Sequence, residues 1–168
     1  RQIQPDPTEP AIVNGPFETN VPPGDAIPGW YYHRQVTWHV EADHPDRGHV
    51  ALFQNSEPGR AAHMLQGLAI DGRFVPEIEL SAWVRYRQVV NPPQNESFPA
   101  VAITFYDEQR RDLGHHWLGP FRGTAEWKQV ARRFRVPPTA REAIVRLGLF
   151  GATGELACDD VRIQSIRD

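Results

Sequence analysis

With 168 residues, 40% hydrophobic and 23% charged, the chain has apolar material for one domain with a sizeable core. A formal charge of −3, with no basic stripe or Lys/Arg-rich run, argues against a nucleic-acid partner. No apolar run is long enough to span a bilayer, so no membrane segment is expected.

The N-terminal stretch RQIQPDPTEP lacks the apolar centre of a secretory signal; a signal cleaved ahead of this numbering would leave no trace. Residues 1–11 read as a disordered or linker segment, and residues 12–168 as a single domain. Sixteen prolines and thirteen glycines are spread along the chain, the pattern of many short strands joined by turns.

A first strand is expected near AIVNGPFE. The following His-rich stretch YYHRQVTWHVEADHPDRGHV reads as largely loop and leads into the strand HVALFQN. EPGRAAHMLQGL has some helical character, but equally suits a loop running into the strand MLQGLAI; AIDGRF has hairpin-like turn content. In EIELSAWVRYR, Ile78, Leu80, Ala82, Val84 and Tyr86 share one face, and Glu79, Ser81, Trp83, Arg85 and Arg87 the other. VVNPPQNESFP is a long loop carrying the glycosylation sequon Asn95-Glu96-Ser97. In AVAITFYD, Val101, Ile103 and Phe105 oppose Ala102, Thr104 and Tyr106; YDEQRRDLG is a second hairpin-like turn, and HHWLGPF is loop-like. KQVARRFRV, AIVRLGLFG and LACDDVRIQSI complete a set of about eight strands without intervening helices, which argues an all-β sandwich or jelly roll.

The last strand poses a problem. If Ala157, Val161 and Ile163 face the core, strict alternation sends Asp159 inward with them and Asp160 outward. A buried carboxylate needs a cation, hydrogen-bond donors or a metal. The sole cysteine, Cys158, excludes an internal disulfide and a multi-cysteine zinc site, and reads as a small buried hydrophobe. Seven histidines, His115-His116 among them, show no H-x-x-x-H or H-E-x-x-H spacing, so surface or ligand-contacting roles are expected rather than a transition metal.

The order VNGPFE, PGW, GHVALF, MLQGLAI, LSAWVRY, AEWKQVARRFRVPPTA and IVRLGLFGATGELACDDVRI resembles the galactose-binding-domain-like jelly rolls, in particular the carbohydrate-binding modules of bacterial glycoside hydrolases. The resemblance runs from about Ile12 to Ile166 and implies a two-sheet antiparallel β-sandwich. It implies a structural calcium ion held by Glu18 and Asp159, with carbonyls near residues 43–48 as further ligands; the plain alternative is Asp159 paired with an arginine or loop amides. It also implies packing roles for Trp30 and Trp127.

Sugars are met by aromatic platforms and planar polar groups. Trp83, Arg85, Tyr106 and Arg146 lie on non-core strand faces and would form one binding face if their strands share a sheet; Trp38 and Trp117 are further candidates. The chain has no G-x-S-x-G, P-loop or dinucleotide motif, and no catalytic residues are assigned. The expected function is non-catalytic polysaccharide binding, accessory to a glycoside hydrolase or other enzyme in the same parent chain, in a secreted or periplasmic bacterial setting. A protein–protein adhesion or scaffold domain is the alternative, and a jelly-roll lyase or hydrolase a more distant one.

Overall fold

A computed structural model describes residues 6–21, 26–92 and 99–166. The described chain forms ten strands: β1 Tyr31–Arg34, β2 Val36–Val40, β3 His49–Asn55, β4 Ala62–Ala69, β5 Glu77–Val90, β6 Ala100–Tyr106, β7 Asp112–Leu118, β8 Gly123–Arg135, β9 Glu142–Phe150 and β10 Thr153–Ile166. One 3-10 turn, Pro45–Arg47, lies between β2 and β3. Two five-stranded sheets result, the first in the order β1-β4-β9-β6-β7 and the second in the order β2-β3-β10-β5-β8. Every strand pairing is antiparallel.

Alternation explains the core. Ile78, Leu80, Ala82 and Val84 of β5 face Val101, Ile103 and Phe105 of β6 and Val145, Leu147 and Leu149 of β9 across the sandwich, all fully buried. Phe17 and Trp30 close one side, with ring centroids 5.8 Å apart. The expected strand MLQGLAI forms as β4 and begins two residues earlier, at Ala62, with Met64 and Gln66 pointing inward and His63, Leu65 and Gly67 outward. VTWHV, read as loop-like, is β2, and the HHWL of HHWLGPF, read the same way, is the second half of β7, with residues 119–121 outside any strand.

Several expectations change. The first strand near AIVNGPFE does not form. Asn14 and Phe17 have φ of 52° and 58°, and the Asn14 amide instead donates to Pro28 O at 2.8 Å and accepts from Thr19 N at 3.2 Å. The AIDGRF turn is no hairpin, since it carries the chain from β4 in the first sheet to β5 in the second. YDEQRRDLG does close a hairpin, β6 to β7, with Asp107 Oδ1 accepting from the amides of Gln109 and Arg111 at 2.9 Å each. Residues 1–5 and the sequon lie outside the described residues. Residues 6–11 rest against the domain: Pro10 is buried and Pro7 O accepts from Asp71 N at 2.8 Å.

The Asp159 problem is solved by a bulge. Asp159 pairs with Trp83 and Arg162 with Ser81, so Asp160 and Val161 of β10 together oppose Ala82 of β5. Asp160 absorbs the extra residue at φ 45°. Leu156 and Cys158 face the core before the bulge, Val161 and Ile163 after it. Ala157 and Asp159 therefore lie on the outer face of the second sheet, and the expectation of an aspartate on the core face is corrected.

Candidate functional site on the outer face of the first sheet

Residues paired across an antiparallel ladder project to the same side. Cross-strand register places Trp117, Ala102, Arg146, Leu65 and Tyr31 in one row across all five strands of the first sheet. At a strand spacing of about 4.8 Å this row is about 19 Å long. Aromatic rings stand at its two ends: Trp117 on β7 is 37% exposed and Tyr31 on β1 is 61% exposed. A parallel row holds His115, Thr104, Ile144 and Gly67, and Tyr106 lies beyond Thr104 on β6.

Arg146 ties these rows together. Its guanidinium donates to Thr104 Oγ1 at 3.1 Å and to the Tyr106 hydroxyl at 3.3 Å. Thr104 Oγ1 also shares a hydrogen bond with His115 Nδ1 at 2.6 Å. His115 Nε2 faces Asp112 Oδ2 at 3.1 Å. This Asp112-His115-Thr104 chain has the connectivity of a nucleophile with its base and orienting acid. Thr104 is 0% exposed and lies under a guanidinium, so its oxygen cannot reach a substrate; the chain orients Arg146 instead.

The structure thus brings Tyr106, Trp117 and Arg146 together and separates the other sequence candidates from them. Trp83 and Arg85 are on β5, in the second sheet, with the whole core between. Alternation showed that they face outward, but not which sheet they face outward from. Trp38 packs inward: its Nε1 donates to Phe17 O at 2.6 Å, its ring stacks 3.5 Å from His49, and its neighbours belong to the core. Of the adjacent histidines only His115 is on the outer face, while His116 packs between Phe105 and Phe134, where burial lowers its pKa. Thr104, His115, Leu65 and Tyr31 were missed; the outward phase of their strands was a visible signal, the neighbour order was not.

Part of the second sheet's outer face, around Trp83, Trp127, Arg85 and Asp159, is covered by the segment leading from β2 to β3. Arg47 from this segment lies 4.7 Å from the Trp83 ring and 4.3 Å from the Trp127 ring, and its Nη1 is 3.2 Å from Asp159 Oδ2. Asp159 is 3% exposed, and burial, aided by Asp160, pushes its pKa up to about 7. Glu41, from the same segment, forms a two-pronged pair with Arg85, which is itself 2% exposed. The Arg85 hydrogen bonds hold the Glu41 carboxyl below its usual range. Arg85 also donates to Glu155. Burial alone would raise the Glu155 carboxyl, but hydrogen bonds from Gln54 and Arg85 hold it low.

Glu18 and Asp159 contact the same stretch of chain. Glu18 Oε1 accepts from His49 N at 2.6 Å, and the carboxylate lies against Gly48, whose φ of 67° and missing Cβ leave the space it occupies. No group of three or more His, Cys, Asp or Glu side chains placed to hold a metal occurs among the described residues.

No protein-family model matches this chain, and no curated protein matches it in sequence. Solved structures do match in fold. The enzymatically active domain of tailspike protein 4 from bacteriophage CBA120 shares 18% identity at a TM-score of 0.64, covering 92% of this chain and 21% of that one. A family 16 carbohydrate-binding module shares 18% identity at a TM-score of 0.60, covering 90% of this chain and 97% of that one. A family 61 module solved with β-1,4-galactotriose shares 15% identity at a TM-score of 0.54, covering 91% of this chain and 96% of that one. These likenesses define the class of fold: a jelly-roll β-sandwich of the carbohydrate-binding-module type. The chain spans about a fifth of the tailspike structure and nearly the full length of both modules.

Proposed function

We propose that the chain is a non-catalytic polysaccharide-binding module whose site is the outer face of the first sheet. The observation that carries this reading is the row from Trp117 to Tyr31, with Arg146 held between its two aromatic ends. The rings offer platforms for the C–H faces of sugars, and Arg146, Tyr106 and His115 offer planar polar partners for hydroxyls. A row about 19 Å long, ending at both sheet edges, suits several consecutive sugar units. The fold likeness to modules of this class supports the reading. An accessory role beside a catalytic domain of a secreted bacterial protein, with carbohydrate as the main partner, is part of the same proposal.

Native gels cast with soluble polysaccharides, β-1,4-galactan and xylan among them, test it. Retardation by at least one polymer is the expected result. If every polymer leaves mobility unchanged, the reading fails and the same face becomes a candidate protein contact, in keeping with an adhesion or scaffold role.

We also propose a structural calcium ion at Glu18 and Asp159. The cradle beside Gly48 supports it, placing a carboxylate on backbone that could add the carbonyl oxygens calcium favours. Arg47 is the competing cation for Asp159. Calcium at a hundredfold excess over Kd adds about 2.7 kcal/mol. That raises the unfolding midpoint by about 5–10 °C relative to chelator, for a chain of this length. Asp159→Asn should erase the difference. Equal midpoints in calcium and in chelator would overturn the calcium proposal and leave Asp159 to Arg47 and the Asp160 amide.

A further inference from the structure

The second sheet carries a recess that the first-sheet reading does not use. Its volume is about 660 Å³, within the range of small-ligand sites, and a smaller recess of about 250 Å³ adjoins it through Gln54, Arg87 and Glu155. Register explains the floor: Gln54 of β3, Glu155 of β10 and Arg87 of β5 are neighbours in one outward row. Arg60 reaches in from the turn between β3 and β4.

Two features define what this recess would accept. The first is charge. Arg60 and Arg87 line it against one carboxylate, Glu155, an excess of positive charge in a chain whose net charge is −3. Glu155 is largely committed elsewhere, with Oε1 accepting from Gln54 at 2.9 Å and Oε2 held by Arg85, so Arg87 reaches it only at 3.5 Å. Arg60 has its nearest carboxylate, Glu57, at 3.9 Å, and its Nε and Nη2 lie 3.1 and 3.0 Å from the Gln35 amide oxygen in that amide's satisfied orientation. Both guanidiniums thus keep donors for an anion. The second feature is the uncharged lining: Ser56, Gln88 and Thr124 supply amide and hydroxyl groups of the kind that bond sugar hydroxyls, while the Asn55 amide is spent on the loop beneath them.

The buried Arg85 braces this floor. A buried ion network adds little net stability over apolar packing of the same volume, yet it fixes the position of every charge in it. Glu41 and Glu155 clamp Arg85, and Glu155 in turn positions Arg87.

We propose that the recess binds an anionic saccharide unit, its charged group held by Arg60 and Arg87 and its hydroxyls by the surrounding amide and hydroxyl side chains. This site is separate from the first-sheet row and does not depend on it.

Amide chemical shifts of the full chain, titrated at low salt with sodium glucuronate, glucose, sodium acetate and inorganic phosphate, test the assignment. Glucuronate is expected to give saturable shifts centred on Gln54, Gly154 and Glu155, with glucose and acetate at least tenfold weaker. Arg87→Gln, at a half-exposed position, should weaken glucuronate at least tenfold and leave polysaccharide retardation unchanged. Trp117→Ala should do the reverse. The proposal is overturned if glucuronate causes no saturable shift, or if acetate or phosphate matches it, which would make this a bare anion site. Loss of glucuronate binding in Trp117→Ala but not in Arg87→Gln would overturn it too.

Discussion

Replacing Arg85 by leucine is expected to destabilise the domain by about 3–5 kcal/mol at neutral pH, because it strands Glu41 and Glu155 as carboxylates without their buried cation. For a chain of this length that lowers the unfolding midpoint by about 10 °C. Glu41 is 5% exposed and its other contacts are weak substitutes: His39 Nε2 at 3.4 Å and Trp127 Nε1 at 3.1 Å. The effect has a pH signature. Both carboxyls are held below their ordinary value of 4.5, so the stability they contribute is present above that pH and is lost as pH falls through their folded values. In the leucine variant the carboxyls lose the partner that favours their charged form. The gap between wild type and variant should therefore narrow in acid. Urea unfolding at pH 7 and at about pH 3.5 measures both terms. A loss below about 1 kcal/mol at pH 7 would mean that the pair behaves as a solvated surface contact.

On the first sheet, Trp117→Ala and Arg146→Ala are each expected to weaken polysaccharide binding by about 2 kcal/mol or more, at least 30-fold, as dominant aromatic and arginine contacts do. Trp117 is partly exposed, so its replacement should alter stability little. Trp30, at 2% exposure in the core, should instead cost about 3–5 kcal/mol when cut to alanine. Removing Arg146 takes away the guanidinium that meets the sugar, so its binding loss should exceed that of Thr104→Val, which removes the hydroxyl's two hydrogen bonds, to Arg146 and His115, and keeps the shape. Affinity gels on the polysaccharide that retards wild type, read beside thermal unfolding, separate the two kinds of tryptophan. Full binding in both Trp117→Ala and Arg146→Ala would remove the first-sheet face from consideration.

Trp83 and Trp127 show how far residue type misleads without tertiary position. Both are large aromatics on an outward strand face, the usual mark of a platform. Both are occupied by the Arg47 guanidinium, which also satisfies Asp159. The covering segment comes from residues 41–48, more than thirty positions before Trp83 and about eighty before Trp127. No local pattern announces a contact of that range.

The sequence by itself determined the strands and their phase. The period-2 alternation of β5, β6 and β9 is set by the side chains themselves, since each strand must put its apolar set on one face to be buried. That was enough to mark Arg146, Tyr106, Trp83 and Arg85 as outward-facing; Cys158 was marked as buried by its residue type, against the phase that alternation gave its strand. Tertiary structure alone decided which outward residues share a surface. Phase says which side of a strand a residue is on, while sheet membership depends on long-range pairing, which placed β5 beside β10 and β6 beside β9. It also decided the fate of Asp159. One extra residue in β10 reverses the phase of the strand, and a bulge is a property of two paired strands, which neither sequence segment contains alone.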